Sequence, residues 1–170
     1  LAKNTLVSDC EIADFYYSGV SVGWHWGYDT RGATNNTVGG CHIHRIGQGV
    51  LSDMGGVYTL GGSDDSRIHS NHIHDIRSFS YGGWGIYFDE GTTNVTASAN
   101  VVYDVSASPF HQHYGKNNRV TQNLLAFGRE AQLIRSRAED HLSFTATENT
   151  VIYDADTLLG GNWSGDTSRA

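Results

Sequence analysis

A short motif recurs along the whole 170-residue chain, and this repeat limits the possible folds more than any other feature. The motif is a small polar residue or cysteine followed, two positions later, by an aliphatic residue, and its copies begin 31, 30, 29, 23 and 26 residues apart. The six copies begin at Cys10, Cys41, Asn71, Asn100, Asn123 and Asn149. Each interval holds two or three patches of alternating aliphatic residues separated by Gly, Asn, Asp or Ser, without a 3.6-residue apolar period. The repeat therefore indicates strands and turns rather than a helical solenoid.

A repeat of 23 to 31 residues with several strands predicts one coil of a right-handed parallel β-helix per copy. We expect an all-β solenoid of about six coils, in which residues 1–170 form a single domain that is a piece of a longer β-helix protein. A leucine-rich repeat would need Leu at fixed offsets that this chain lacks. The motif asparagines are expected to point inward and hydrogen-bond to one another, with Cys10 and Cys41 replacing them as small buried residues in the first two coils.

Aligning the strand that the sequence pattern places second in each coil predicts which side chains share an outer face. The alignment pairs residues 20–23, 57–60, 86–89, 110–113 and, less surely, 132–135. Because side chains alternate along a strand, the first and third positions should face inward and the second and fourth should face solvent. The outward set is Ser21, Gly23, Tyr58, Leu60, Tyr87, Asp89, His111, His113 and Arg135. An alternative alignment pairs 49–53 with 85–89 and places Asp53 over Asp89.

Long loops precede two of these strands, and loops on one side of a regular scaffold are where solenoids keep their sites. The loops read GQGVLSDMGG and RSFSYGGWG, and they would bring Asp53, Tyr81 and Trp84 over the outward residues. The first coil adds the aromatic segment GWHWG, with Trp24 and Trp26. Either alignment brings Asp53 and Asp89 to the same face.

Asp53 and Asp89 are the candidate catalytic residues. Two carboxylates flanking an aromatic groove are the minimum needed to cleave a glycosidic bond, because one donates a proton to the leaving oxygen while the other attacks the anomeric carbon or activates water. A separation of about 5 Å would indicate retention and one of about 6.5–9.5 Å inversion, and the sequence leaves both open. Glu90 competes with Asp89 only if the strand ends before it.

Several other side chains are predicted to contact the sugar. His111 and His113 face the same way because Gln112 separates them, and imidazoles suit hydrogen bonding to hydroxyl groups. The run GREAQLIRSRAEDHL adds basic and acidic residues at one end of the groove, either to hold an acidic sugar or as an ion-paired rim. The predicted substrate-binding residues are Tyr58, Trp84, Tyr87, Glu90, His111, His113, Arg129, Glu130 and Arg135.

Four further histidines, His42, His44, His72 and His74, alternate with isoleucines and should stack in two columns. Imidazoles at strand spacing can bind a transition metal. No carboxylate or cysteine converges on them in the sequence pattern, so we expect a polar outer ladder. Neither a metal nor an organic cofactor is predicted.

Charge and composition exclude several partners. The chain has 11 Lys and Arg against 18 Asp and Glu, which gives a net charge of −7 and argues against nucleic acid. No apolar run reaches the ~20 residues that span a bilayer. Two cysteines without a CxxC spacing do not form a disulfide scaffold.

Several segments resemble bacterial carbohydrate-active proteins close to glycoside hydrolase family 141. They are GQGVLSDMGGVYTLGG, NHIHDI, YGGWGIYFDEG, FHQHYGKNN and FGREAQLIRSRAEDHLSF, within roughly residues 35–155. The resemblance implies a parallel β-helix that acts on plant cell-wall polysaccharide with fucosidase- or xylanase-like activity, Asp53 and Asp89 being the acid and nucleophile. It also implies a secreted or periplasmic protein with a polysaccharide or oligosaccharide substrate, expected to be a monomer.

Two other classes of function stay open. A polysaccharide lyase on the same fold would use a base such as Arg135 or His113, often with calcium on clustered acids. A non-catalytic β-helix would bind carbohydrate without cleaving it.

Overall fold

A computed structural model describes residues 2–29, 32–154 and 157–163. Coil 1 contains β1 (Leu6–Ser8), β2 (Glu11–Ala13) and β3 (Val20–Val22), and coil 2 contains β4 (Thr37–Gly39), β5 (His42–Ile46) and β6 (Gly55–Thr59). Coil 3 contains β7 (Arg67–His69), β8 (His72–Ile76) and β9 (Trp84–Phe88). Coil 4 contains β10 (Thr92–Thr93), β11 (Thr96–Ser98), β12 (Val101–Val105) and β13 (Phe110–Gln112). Coil 5 contains β14 (Gly115–Lys116), β15 (Asn118–Thr121), β16 (Leu124–Gly128) and β17 (Ala131–Arg135), and coil 6 contains β18 (Phe144–Thr147), β19 (Thr150–Ile152) and β20 (Thr157–Gly161).

Corresponding strands of successive coils pair in parallel and form three six-stranded sheets. Sheet 1 contains β1, β4, β7, β11, β15 and β18; sheet 2 contains β2, β5, β8, β12, β16 and β19; sheet 3 contains β3, β6, β9, β13, β17 and β20. The short strands β10 and β14 pair at one corner. The prediction of an all-β parallel β-helix with six coils is confirmed. Across the described residues, no helix is long and apolar enough to cross a membrane.

The interior is filled by inward columns of side chains, most of them apolar, from all three sheets. Ile43, Ile73, Val102 and Leu125 come from sheet 2, and Val57, Ile86, Phe110 and Leu133 from sheet 3; all are buried and share one core. Apolar residues stack on apolar residues because the parallel register places the inward positions of successive coils next to one another. Candidate functional side chains are therefore expected at the outward positions.

The predicted asparagine ladder is present at the turn between sheets 1 and 2. The amide of Asn71 donates to Asn100 Oδ1 at 3.0 Å, and the amide of Asn100 donates to Asn123 Oδ1 at 3.0 Å. The side-chain nitrogen of Asn100 also donates to the Ile68 carbonyl at 2.9 Å. The ladder continues to Asn149 at one end, and the Cys41 amide donates to Asn71 at the other.

The residue before each ladder position has a left-handed backbone in every coil. These residues are Asp9, Gly40, Ser70, Ala99, Gln122 and Glu148, with φ between 53° and 67°. Such a backbone costs about 1–2 kcal/mol for a residue with a Cβ atom. The hydrogen bonds of the ladder offset that cost, because they satisfy buried amides that the sharp turn takes out of the sheets.

Two expectations about individual residues are wrong. Cys41 is buried as predicted, whereas Cys10 is exposed in the described part of the chain. The alignment of the fifth coil is off by one residue, because Phe110 pairs with Leu133 and Gln112 with Arg135. Arg135 therefore faces inward, where it is 2% exposed and its Nε donates to the Asn162 carbonyl.

We predict that Asn100→Ala lowers the free energy of unfolding by about 2–3 kcal/mol, because it leaves the buried Asn71 amide and Ile68 carbonyl without the Asn100 side chain as partner. Urea unfolding with an unchanged m-value would measure it. Asn149→Ala is the matched control, since Asn149 is only half-buried and ends the ladder, and a smaller loss is expected there. Equal losses at the two positions would contradict a ladder strengthened by burial.

Candidate active site

A pocket of about 360 Å³ opens on the outer face of sheet 3. The loops before β6 and β9 and the segment after β3 form its walls, as the long-loop pattern predicted. Its lining residues are Trp26, Asp53, Tyr81, Trp84, Tyr87, Asp89, Glu90, His111, His113 and Ser136. The first alignment is the correct one, because Val57 pairs with Ile86.

The outward residues at the base of this pocket are buried, which corrects the expectation that they face open solvent. Tyr58, Tyr87 and His111 are all 5% exposed or less. The indole of Trp84 lies over Tyr87 and His111, with ring centroids 4.2 Å from each. The polar groups beneath Trp84 are therefore surrounded by a medium of lower dielectric constant than water. Hydrogen bonds and charges shift pKa values more strongly there than at an exposed surface.

Asp89 is held at the base of the pocket as an ionised carboxylate. It is 5% exposed, so burial alone would raise its pKa. Hydrogen bonds from His113, Tyr58, Tyr87 and the Glu90 backbone outweigh burial and hold the pKa of Asp89 below its usual value. Tyr58 donates to Oδ2 at 2.7 Å, and His113 Nδ1 lies 3.0 Å from Oδ1.

Asp53 has the opposite electrostatic character. Burial and the negative charge of Asp89 raise its pKa, although hydrogen bonds from Tyr87 and Tyr81 act against the shift. Its backbone is fixed from two sides, because Tyr17 donates to the Asp53 carbonyl at 2.9 Å and the Asp53 amide donates to the Tyr81 carbonyl at 3.3 Å. A loop residue is thereby positioned as firmly as a strand residue.

The hydroxyl of Tyr87 connects the two carboxylates. It donates to Asp53 Oδ1 at 3.1 Å, and its proximity to Asp89 helps to lower the pKa of that second carboxyl group. The two acids are therefore neighbours of one phenol, and their environments move their pKa values in opposite directions. A proton on Asp53 with a charge on Asp89 is the arrangement that these shifts favour.

The histidines on β13 and just after it differ in their surroundings. Hydrogen bonding to Asp89 raises the pKa of His113 despite partial burial. Burial lowers the pKa of His111 to about 3, so this imidazole is neutral at ordinary pH. His111 Nε2 lies 2.7 Å from Ser136 Oγ, while its Nδ1 and the indole nitrogen of Trp84 are buried without a partner among the described residues.

Glu90 lies in the pocket as well, because β9 ends at Phe88 and strict alternation stops there. Tyr114 donates to Glu90 Oε2 at 3.0 Å. Asp89, Glu90 and His113 each offer one ligand atom, and the three atoms lie within 4.8 Å of one another. This group is a place where a cation could be held, with two oxygen donors and one nitrogen.

Four of the predicted substrate contacts do not line the pocket. Arg129 and Glu130 are exposed in the turn between β16 and β17 and do not line it. Arg135 is buried in the interior for the register reason given above. The sequence alignment missed Ser136, which the correct register places beside His113 on the outer face. Tyr58 is one layer below the pocket surface, where it hydrogen-bonds to Asp89 and packs edge-on against Tyr87.

The chain belongs to the right-handed β-helix family: a family profile described as a right handed beta helix region matches residues 2–151. The hand of the solenoid follows from this membership and agrees with the prediction. No curated protein and no solved structure shows significant similarity to the chain. The comparisons thus support the fold and do not extend to the narrower resemblance to glycoside hydrolase family 141.

We predict that Tyr58→Phe raises the pKa of Asp89, because it removes a hydrogen bond that favours the carboxylate. Carbon-13 NMR titration of the aspartate carboxyl groups would measure the shift. Ionised Asp89 stabilises the fold above its unfolded-state pKa, and this stabilisation is lost as the pH falls through the lower folded-state pKa, so the variant should unfold at higher pH on acidification.

Tyr114→Phe is the matched control for this titration, because it removes a phenol that donates to Glu90 rather than to Asp89. In this variant the pKa of Asp89 should equal its value in the native protein. A pKa of Asp89 that is the same in Tyr58→Phe and in the native protein would contradict the assigned cause.

Proposed function

We propose that this protein is a glycoside hydrolase that cleaves polysaccharide with Asp53 as general acid and Asp89 as nucleophile or general base. Right-handed β-helix domains are common among polysaccharide-acting enzymes and carbohydrate binders. The observation that carries the proposal is the pair of carboxylates joined through Tyr87, one with a raised and one with a lowered pKa. Opposite shifts in neighbouring acids mark an acid and base pair.

The chemistry follows from these protonation states. Protonated Asp53 gives its proton to the glycosidic oxygen, so the bond to the leaving sugar breaks without expelling an alkoxide. Ionised Asp89 then either bonds to the anomeric carbon or takes a proton from the water that does so. In the first case, Asp53 later removes a proton from the water that releases the sugar. The hydrogen bonds from Tyr58 and His113 keep Asp89 oriented.

The pocket surface also suits a sugar. His111 and Trp84 line the pocket, and each has a buried ring nitrogen with no hydrogen-bond partner among the residues that the structure describes. Sugar hydroxyls can both donate and accept hydrogen bonds. Trp26 is 63% exposed at the rim, where a flat ring can pack against the apolar face of a pyranose. The resemblance to glycoside hydrolase family 141 extends the proposal to plant cell-wall polysaccharides as substrates. The protein would then act outside the cytoplasm, as a secreted or periplasmic enzyme.

We predict that Asp53→Asn and Asp89→Asn each lower kcat/KM on the cleaved polysaccharide by about 10³-fold or more. The double variant should be little worse than either single variant, because members of one catalytic unit are not additive. A panel of wall polysaccharides, with digests analysed by mass spectrometry, supplies the substrate. The native enzyme should show a bell-shaped pH profile, with the acid limb set by Asp89 and the basic limb by Asp53.

Asp65→Asn is the matched control. Asp65 is an exposed aspartate with φ 62°, close to the 57° of Asp53, so the substitution is the same and the backbone is equally constrained. It should leave kcat/KM unchanged. Because Asp89 is buried, folding of each variant must be checked by circular dichroism. Full cleavage by both folded single variants would reject the hydrolase and favour a carbohydrate-binding β-helix.

A polysaccharide lyase is the second candidate, and the cluster of Asp89, Glu90 and His113 favours it, since carboxylates at this spacing can hold calcium. Buried Arg135 cannot serve as its base. Lyase products would carry an unsaturated ring that absorbs ultraviolet light, and a calcium chelator would stop the reaction. Saturated reducing ends formed in the presence of chelator would exclude this candidate.

We predict that Trp26→Ala raises KM by about 5- to 10-fold and leaves kcat within about twofold, the effect of losing roughly 1 kcal/mol of ring contact. Steady-state kinetics would separate the two parameters. Phe79→Ala removes an aromatic ring that is 75% exposed and does not line the pocket, so its KM should stay native. A KM raised equally by both variants would remove Trp26 from the binding site.

A further inference from the structure

A cluster of imidazoles covers the outer face of sheet 2, away from the pocket on sheet 3. Alternation along β5 sends His42 and His44 outward, and alternation along β8 sends His72 and His74 outward. The parallel register sets His42 beside His72 and His44 beside His74. Four imidazoles therefore occupy two adjacent coils, as the sequence predicted.

Three of the four rings bring their nitrogens together. His42 Nε2 lies 2.8 Å from His74 Nε2, and one ligand atom from each of His42, His44 and His74 lies within 4.8 Å of the others. Two nitrogens bound to tetrahedral zinc at about 2.05 Å would be about 3.3 Å apart. Small side-chain rotations therefore separate the observed arrangement from a three-histidine site.

Burial and the neighbouring imidazoles lower the pKa values of His42 and His74. His44 is buried, and the other two are half-buried, so the rings are held in place by packing as well as by the strands.

A carboxylate joins the cluster, which corrects the expectation that none would. Glu11 of β2 comes from the coil above, and its Oε1 lies 3.0 Å from His44 Nε2. Arg45 lies against the other ring nitrogen of His44 at 2.9 Å, but its charge is paired with Asp14 through two hydrogen bonds. In this state His44 accepts from Arg45 and donates to Glu11.

His72 differs from the other three. Its Nε2 lies 3.1 Å from the Tyr103 hydroxyl, and its ring is exposed. It stacks on His42 with centroids 4.9 Å apart and so packs against the group without directing a nitrogen into it. A three-histidine metal site would not depend on His72, whereas a stack of four equivalent rings would depend on all four histidines alike.

We propose that His42, His44 and His74 bind one divalent transition metal of the zinc class, with Glu11 as the fourth ligand. On binding, the metal replaces the proton on His44 Nε2, this proton is exchanged through solvent for one on Nδ1 so that the ring stays neutral, and Arg45 keeps only its pairing with Asp14. The ion links coils 1, 2 and 3 across sheet 2. The site is independent of the proposed hydrolytic pocket, because no residue is shared.

The test uses the full 170-residue chain purified without an affinity tag and titrated with Zn²⁺ and with Co²⁺. We expect one ion per chain, an intense visible Co²⁺ spectrum typical of tetrahedral coordination, and a rise in Tm with zinc that EDTA reverses. His42→Ala and His74→Ala should each weaken binding by at least about 100-fold, because even outer partners of ligands contribute about 10- to 100-fold.

His72→Ala and Asp89→Asn are the matched controls. The first removes a stacked ring from the same face, and the second disrupts the other cluster of metal-binding residues, so both should bind zinc within about threefold of the native chain. Nitrogen-15 NMR of the imidazoles in the unaltered protein gives a result that does not depend on any variant folding. Zinc should shift the Nε2 signals of His42, His44 and His74 and leave that of His72.

Two results would overturn the proposal. The first is no stoichiometric binding of Zn²⁺ or Co²⁺ to the native chain. The second is binding that survives His42→Ala and His74→Ala and disappears in Asp89→Asn or His72→Ala.

Discussion

The hydrogen-bonded asparagine column at the turn between sheets 1 and 2 is the constraint on which the rest of the structure depends. Each of its members closes a turn whose preceding residue has a left-handed backbone, and each hydrogen-bonds to the same residue one coil away. A turn fixed in this way sets where the following strand of sheet 2 begins. Because the side-chain period is two, a slip of one residue would exchange the inner and outer faces of that strand. Coil-to-coil hydrogen bonding therefore decides which chemistry reaches the surface.

The two groups of interest are both consequences of that register. On sheet 3 the outward columns collect Tyr58, Tyr87, Asp89 and His111, and the long loops add Asp53 and cover the columns from solvent. This cover is important because hydrogen bonds shielded from solvent have larger effects on pKa values. The pKa of Asp53 is raised and that of Asp89 is lowered. On sheet 2, His42, His44 and His74 form a compact surface cluster, and Glu11 contacts it through His44. One scaffold thus presents a carboxylate site on one face and an imidazole site on another.

The alignment of the coils shows how far side-chain alternation can be followed from sequence. Residues 57–60, 86–89 and 110–113 each begin with an aliphatic or aromatic inward residue, and their predicted register is correct. In coil 5 the segment Gln132–Arg135 contains polar residues at positions that the fold buries. Gln132 hydrogen-bonds to the Gly128 backbone, and Arg135 donates to the Asn162 carbonyl, so neither is costly to bury. A polarity pattern could not identify Gln132 and Arg135 as buried residues, and Ser136 was missed because the register of this strand was predicted one residue out.

The sequence by itself determined the fold class, the number of coils, the ladder and the fact that Asp53 and Asp89 share a face. These features could be predicted because repeat spacing and side-chain alternation are local properties of the chain. The same local pattern recurs in each coil, so no knowledge of tertiary contacts is needed to recognise it. Only the tertiary structure decided that Asp89 is buried and ionised, that Tyr87 connects it to Asp53, that Arg129 and Glu130 lie outside the pocket, and that Glu11 reaches His44. These features depend on distances between residues about 25 to 35 positions apart and on the cover that loops provide, and burial and charge act through space rather than along the chain.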